Sequence, residues 1–336
     1  MAHSADDASE TTVPHIRPSI GIEIADGATR LTAKHTASET LHRRRLAAPP
    51  HPDEAVDTLN DLIAEVIHDE AAAYADHDAL GVAVWGDVDP ERGVTLGMPL
   101  AEGWDNFPLA DRLAGHWEIP VFVMSAVAAA GLAESISGAG QRHRAALYIH
   151  SARTIASALI EDGAIFAGAS GRAGKLAHWL VNPDGPRCAC GQRGHLDPIA
   201  SAQSIVRATI GLASGSDEST AAMLRVSGGR AEAMTVRQVV QLAEEGDNAA
   251  RAVLERAWDA LAVALANLVA ALDPDVIILG GPPAEAGDGF CQPLRERLAM
   301  LCGSWRPAPD LLPGTLGPRA ALIGACLLPT YQRRYR

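Results

Sequence analysis

Four metal-ligand side chains fall within eighteen residues of this chain, in the segment His178-x9-Cys188-x-Cys190-Gly191-x2-Gly194-His195. Asn182, Pro183, Asp184 and Gly185 between them are loop formers, so the stretch carries no helix or strand pattern of its own. Thiolate and imidazole ligands suit tetrahedral Zn²⁺, and a closed set of four protein ligands reads as structural rather than catalytic. The alternative is two buried thiols beside two unrelated histidines. The Cys-x-Cys-Gly turn, flanked by histidine on both sides, favours the metal: His178, Cys188, Cys190 and His195 are expected to staple a long loop.

Around that loop the chain alternates short apolar runs with segments of helical spacing. Ser19 to Ile24, Leu80 to Val84, Val121 to Met124, Ala146 to His150, Thr154 to Ile160 and Asp275 to Leu279 read as strands. Turns are expected at Gly86 to Pro90 and Glu161 to Gly163. Helices are expected over Pro52–Ala75, Pro108–Trp117, Ala126–Ser135, Ile199–Ile210, Thr235–Glu244, Asn248–Leu272 and Arg319–Leu328. Such alternation implies an α/β architecture with mainly parallel sheet.

Residues 1–18 are small, polar and acidic with two prolines, and are expected to be a disordered tail. With 41 acidic residues against 28 Lys and Arg, the net charge of −13 argues against a nucleic-acid partner. The five cysteines show no secreted disulfide pattern, which fits a reducing cytoplasm. No targeting segment and no long apolar run free of charge is present, so no membrane partner is expected.

Several stretches together resemble the ROK family of sugar kinases and sugar-responsive repressors over about residues 19–331. They are Gly81-Val-Ala-Val-Trp-Gly-Asp-Val-Asp-Pro-Glu-Arg-Gly93, Gly103-Trp104 with Pro108-Leu109, Gly168-Ala-Ser-Gly-Arg-Ala-Gly174, the metal segment, and Ile277-Ile-Leu-Gly-Gly281. The resemblance implies an α/β protein with the two-lobed actin-like ATPase fold. Residues 19–133 and 317–331 would form the first lobe, and 134–316, with the zinc loop 178–195, the second. The family's last zinc ligand is Cys; His195 stands there, and imidazole suits the metal equally well.

The positions that carry chemistry in active relatives are altered. Their opening Asp-x-Gly-Gly-Thr becomes Glu23-Ile-Ala25-Asp26-Gly27-Ala28-Thr29. Glu23, Asp26, Gly27 and Thr29, with Gly280-Gly281, are the possible remnant of a nucleotide site. Asp26-Gly27 reads equally as a tight turn, and the glycine pair equally as a packing feature. A second phosphate loop, Gly-Thr-Gly-Ile-Gly, is Ala152-Arg153-Thr154-Ile155-Ala156, so its glycines have gained side chains, although Arg153 offers an anion a partner. Asn-Asp becomes Ser125-Ala126, and the missing Asp is the family's general base. Loss of a base alone slows transfer by about 10²–10⁴. Glu-x-Gly-His becomes Lys175-Leu-Ala177-His178, a sugar-binding Glu becomes Asp197, and an Asn becomes Leu100.

No catalytic residue is therefore assigned. Asp197, Lys175, Ser125 and Arg153 are the candidate ligand-binding residues, with zinc as a structural cofactor and ATP and magnesium not expected. The resemblance then implies a catalytically silent regulatory or carbohydrate-sensing module linked to sugar metabolism or transcriptional control, with a sugar or sugar-derived ligand. The alternatives are a divergent ATP-dependent kinase of hexoses or amino sugars, using Glu23, Asp26 or Asp197 as base, and a scaffold partner of an active or DNA-binding relative. Family members commonly self-associate, so a homo-oligomer is expected. No helix-turn-helix pattern precedes Ser19, so direct DNA binding is not.

Overall fold

The computed structural model describes residues 19–25, 28–34, 42–46, 51–69, 79–98, 102–303 and 305–335. The expected tail over 1–18, Asp26, Gly27, Leu100 and the end of the helix expected to reach Ala75 lie outside the described residues.

Two five-stranded sheets organise the chain, each three antiparallel strands followed by two parallel ones. The first is built from β1 (Ser19–Ala25), β2 (Ala28–Lys34), β3 (His42–Leu46), β4 (Leu80–Val84) and β7 (Val121–Ser125), in the order β3-β2-β1-β4-β7. Between β4 and β7 a separate ribbon pairs β5 (Asp87–Asp89) with β6 (Val94–Gly97). The stretch expected as a plain turn over Gly86 to Pro90 thus contains a short strand. The second sheet uses β8 (Ala145–Ser151), β9 (Ile155–Glu161), β10 (Ala164–Ile165), β11 (Val276–Gly280) and β12 (Asp310–Pro313), in the order β10-β9-β8-β11-β12.

The helices among the described residues are α1 (Pro52–Asp69), α2 (Leu109–Trp117), α3 (Ala126–Ser137), α4 (Asp197–Ala200), α5 (Ala202–Ala213), α6 (Asp217–Val226), α7 (Val236–Glu244), α8 (Asn248–Leu272), α9 (Pro282–Glu285), α10 (Asp288–Cys302) and α11 (Ala320–Tyr335). The helix expected over Ile199–Ile210 is two, because Ser201 leaves helical geometry and caps α5, its Oγ accepting from Ser204 N at 3.3 Å.

Each sheet carries its own core. Ile20, Ile22 and Ile24 alternate inward on β1 and pack with α1 and α2, whereas α8 is the spine of the second core through Leu254, Leu261, Leu265 and Val269. A third core lies between the sheets and is largely alanine: Ala83, Ala126, Ala129, Ala130, Ala146, Ala158, Ala321 and Ala325. Small side chains let α3 and α11 approach both sheets closely. α11 crosses α3 and lies against β1 and β4, while α3 also packs on β8 and β9. The lobe boundary expected at 133/134 therefore falls inside one continuous helix.

Candidate functional site

Open α/β sheets bind ligands at the carboxyl ends of their parallel strands. Here Ala25 ends β1, Trp85 follows β4 and Ser125 ends β7; opposite them Ser151 ends β8 and Gly280 ends β11. These ends meet: the Trp85 and His150 rings lie 4.6 Å apart between centroids.

On the first-lobe side Ser125 serves as N-cap of α3, its Oγ accepting from Ala128 N at 3.4 Å. Ala126 is wholly buried directly behind it and presents only a methyl group. Glu23 is also wholly buried, and Trp85 Nε1–H donates to its Oε1 at 2.6 Å. Thr29 pairs with Ile24 in the β1–β2 ladder, and the register joining Ala25 to Ala28 leaves two residues for the turn.

On the second-lobe side Asp197 holds the tip of the β8–β9 hairpin, accepting from Thr154 Oγ1 (2.7 Å) and Ile155 N (2.8 Å) through Oδ1. Arg153 is exposed on that tip. Lys175 forms an ion pair with Asp87 of β5, so it reaches across to the first lobe. With 45% and 41% exposure, this pair adds about 0–1 kcal/mol and is easily replaced. Gly280 and Gly281 line a pocket of about 80 Å³ with Glu134, Tyr148, Glu285 and Gly314, against roughly 300–1,000 Å³ for ordinary ligand sites. Buried Glu134 accepts from Ala139 N, Thr315 N, Thr315 Oγ1 and Leu316 N, tying α3 to the segment after β12. Burial and the charge of Glu134 push the Tyr148 phenol well above its ordinary range.

The metal loop folds on itself. Val181 N and Asn182 N both donate to Gly194 O, Cys188 N donates to Gln192 O, and Leu196 N donates to Trp179 O. Gly194 has φ +76°, and a Cβ there would stand 1.9 Å from Asn182 O, so this turn requires glycine. The result brings His178, Cys188, Cys190 and His195 together, with one ligand atom from each within 4.8 Å of the others. Cys190 Sγ lies 3.3 Å from His195 Nδ1, and Cys188 Sγ lies 3.9 Å from His178 Nδ1. Metal–ligand bonds of about 2.0–2.3 Å at tetrahedral angles put ligands roughly 3.3–3.8 Å apart, so the quartet, spread up to 4.8 Å, would draw together by side-chain rotation around a four-coordinate ion.

Residues 19–331 match the ROK family. The chain belongs to it. The two-lobed ROK kinase fold, actin-like in architecture, is likewise shared with solved structures. A ROK glucokinase from Streptomyces griseus, crystallised with glucose and AMPPNP, is 27% identical, covering 92% of this chain and 98% of its own with a TM-score of 0.75. The Thermotoga maritima glucokinase is 29% identical over 81% of this chain and 84% of its own. The Escherichia coli transcriptional repressor Mlc is 28% identical over 62% of this chain and 50% of its own.

Against the sequence expectations, the four metal ligands converge, Ser125 and Gly280 end their strands, and Glu23 lies buried two residues before the end of β1. Asp197 and Lys175 already have protein partners. Trp85, Tyr148, His150 and Asp87 were not foreseen. Trp85 and Asp87 sit inside a ROK motif, and His150 is a polar residue closing an apolar strand, a pattern that marks a strand end at a cleft.

Proposed function

We propose that this chain is a sugar-binding regulatory ROK protein that has given up phosphoryl transfer and keeps a structural zinc. Ala126 carries the reading: the residue heading α3, at the carboxyl end of β7, is a buried alanine and cannot accept a proton. Among the described residues, the nearby carboxylates each already have a protein partner. Glu23 is engaged by Trp85, Asp87 by Lys175, and Asp197 by the hairpin tip. Magnesium–ATP is not proposed as a cofactor, because the phosphate loop's glycines are replaced at Ala152, Thr154 and Ala156.

For the metal, two thiolates and two imidazoles, a complete set of four protein ligands, favour zinc in a structural part. Glucose in a related structure and glucokinases among the relatives support a sugar as ligand. All five cysteines are free thiols, which suits a reducing cytoplasm, and no described helix is long and apolar enough to cross a membrane. Self-association without direct DNA contact completes the proposal.

A second reading, an active sugar kinase, is favoured by the glucokinases that match four-fifths or more of the chain. Incubating the purified protein with Mg-ATP and glucose, N-acetylglucosamine or N-acetylmannosamine separates the two. The regulatory reading expects thermal stabilisation by a sugar and no phosphorylated product; turnover above background would overturn it.

A further inference from the structure

One connected series of side chains joins the lobes at the cleft floor. Glu23 on β1 accepts from Trp85 Nε1 at 2.6 Å. The Trp85 indole rests against the His150 ring at 4.6 Å and 53°. His150 Nδ1 lies 3.3 Å from the Tyr148 hydroxyl on the same strand, β8. The phenol keeps its proton, since its pKa is raised by burial and by Glu134, and it shares one hydrogen bond with the imidazole. Burial keeps the imidazole neutral, and its ring lies tilted against the indole.

The position of this series gives it meaning. It runs from Glu23, near the end of β1, to the end of β8, beside the β8–β9 hairpin, where a ligand between two such sheets would have to sit. The core between the sheets is rich in alanine, Ala83, Ala126, Ala146 and Ala158 among them, with Val127, Tyr148, Ile160, Val276 and Ile278 packed in the same cluster. The Lys175–Asp87 pair is largely solvated. Elsewhere in the joint Tyr331 Oη accepts from Ile165 N at 3.1 Å and Tyr335 Oη donates to Asp162 O at 2.7 Å, whereas Trp85 and His150 are the aromatic pair that meets at the strand ends.

We infer that the Trp85–His150 contact is an internal latch: it ties the end of β4 to the end of β8 across the cleft, so that a ligand entering between those strand ends must displace the indole. This goes beyond the regulatory reading, which leaves open how the cleft is held.

Amide hydrogen exchange on the full-length protein tests it, comparing wild type with Trp85→Ala and His150→Ala. Loss of an aromatic contact predicts roughly two- to tenfold faster exchange in the opposite lobe: at residues 151–156 for Trp85→Ala and at 84–89 for His150→Ala. Acceleration confined to the substituted segment, or none, overturns the latch. If circular dichroism shows an alanine variant unfolded, Trp85→Phe and His150→Gln, which keep bulk but weaken the contact, are read by the same criterion. Phosphoryl transfer by the wild type would sink the regulatory reading and leave the exchange result standing.

Discussion

At the scale of single residues, His150 and Cys188 carry the clearest outcomes. Burial pushes the His150 imidazole down to about 4, whereas the unfolded chain takes up that proton near 6.5. Between those values the unfolded state binds more protons, so stability is fully present above about pH 6.5 and falls as pH drops towards 4. The loss is on the order of 3 kcal/mol. His150→Phe should flatten that part of the profile, read from urea midpoints at pH 7 and pH 4.5; an unchanged slope would show that the ring does not stay neutral. Cys188→Ser should reduce bound zinc from about one per chain to near zero and lower Tm, because metal binding is coupled to folding. Elemental analysis and a thermal melt check both. The quartet was legible in the sequence because its spacing is local. Trp85 and His150 were not, because 65 positions separate two residues that only the third dimension joins.

At the scale of elements, α11 shows why some boundaries escape sequence reasoning. The helix expected over Arg319–Leu328 continues through Pro329 to Tyr335. Proline removes the N–H that would pair with the carbonyl four residues earlier, Ala325 O. That carbonyl lies against the bare Cα of Gly81: a Cβ there would stand 1.9 Å from it, and 3.2 Å from Pro329 Cδ. A glycine on β4 thus accommodates the consequences of a proline in a helix far along the chain. Gly81→Ala pushes backbone against backbone and should cost about 3 kcal/mol, visible as a lower denaturation midpoint with unchanged m; a cost under about 0.5 kcal/mol would contradict the packing. The long helix Asn248–Leu272 was foreseen to the residue because its period is sustained over many turns. α10 was missed although Phe290, Leu294 and Leu298 follow helical spacing, since Pro293 early in the run reads as a breaker. Strands β2, β3, β6, β10 and β12 were missed because they are short or polar, and pairing with neighbours rather than their own pattern makes them strands.

At the scale of the whole molecule, two sheets of one design are joined by a thin alanine core, an arrangement suited to opening and closing about a ligand. A sugar held at a hundred times its Kd should add about 2.7 kcal/mol, a rise of several degrees in Tm, while Mg-ATP should add nothing. Differential scanning fluorimetry distinguishes these, and a nucleotide shift alone would point back to catalysis. The seating of α11 has a further consequence, in time rather than in space. Gly21 and Gly81 are register partners on β1 and β4, and the atoms that cover them belong to Cys326 and Ala325. During synthesis the first sheet therefore emerges with its face bare and waits while the second lobe is made. Closure of the first lobe is set by contacts more than 240 residues apart, which makes it slow and leaves the alanine-lined face the exposed surface of the nascent chain.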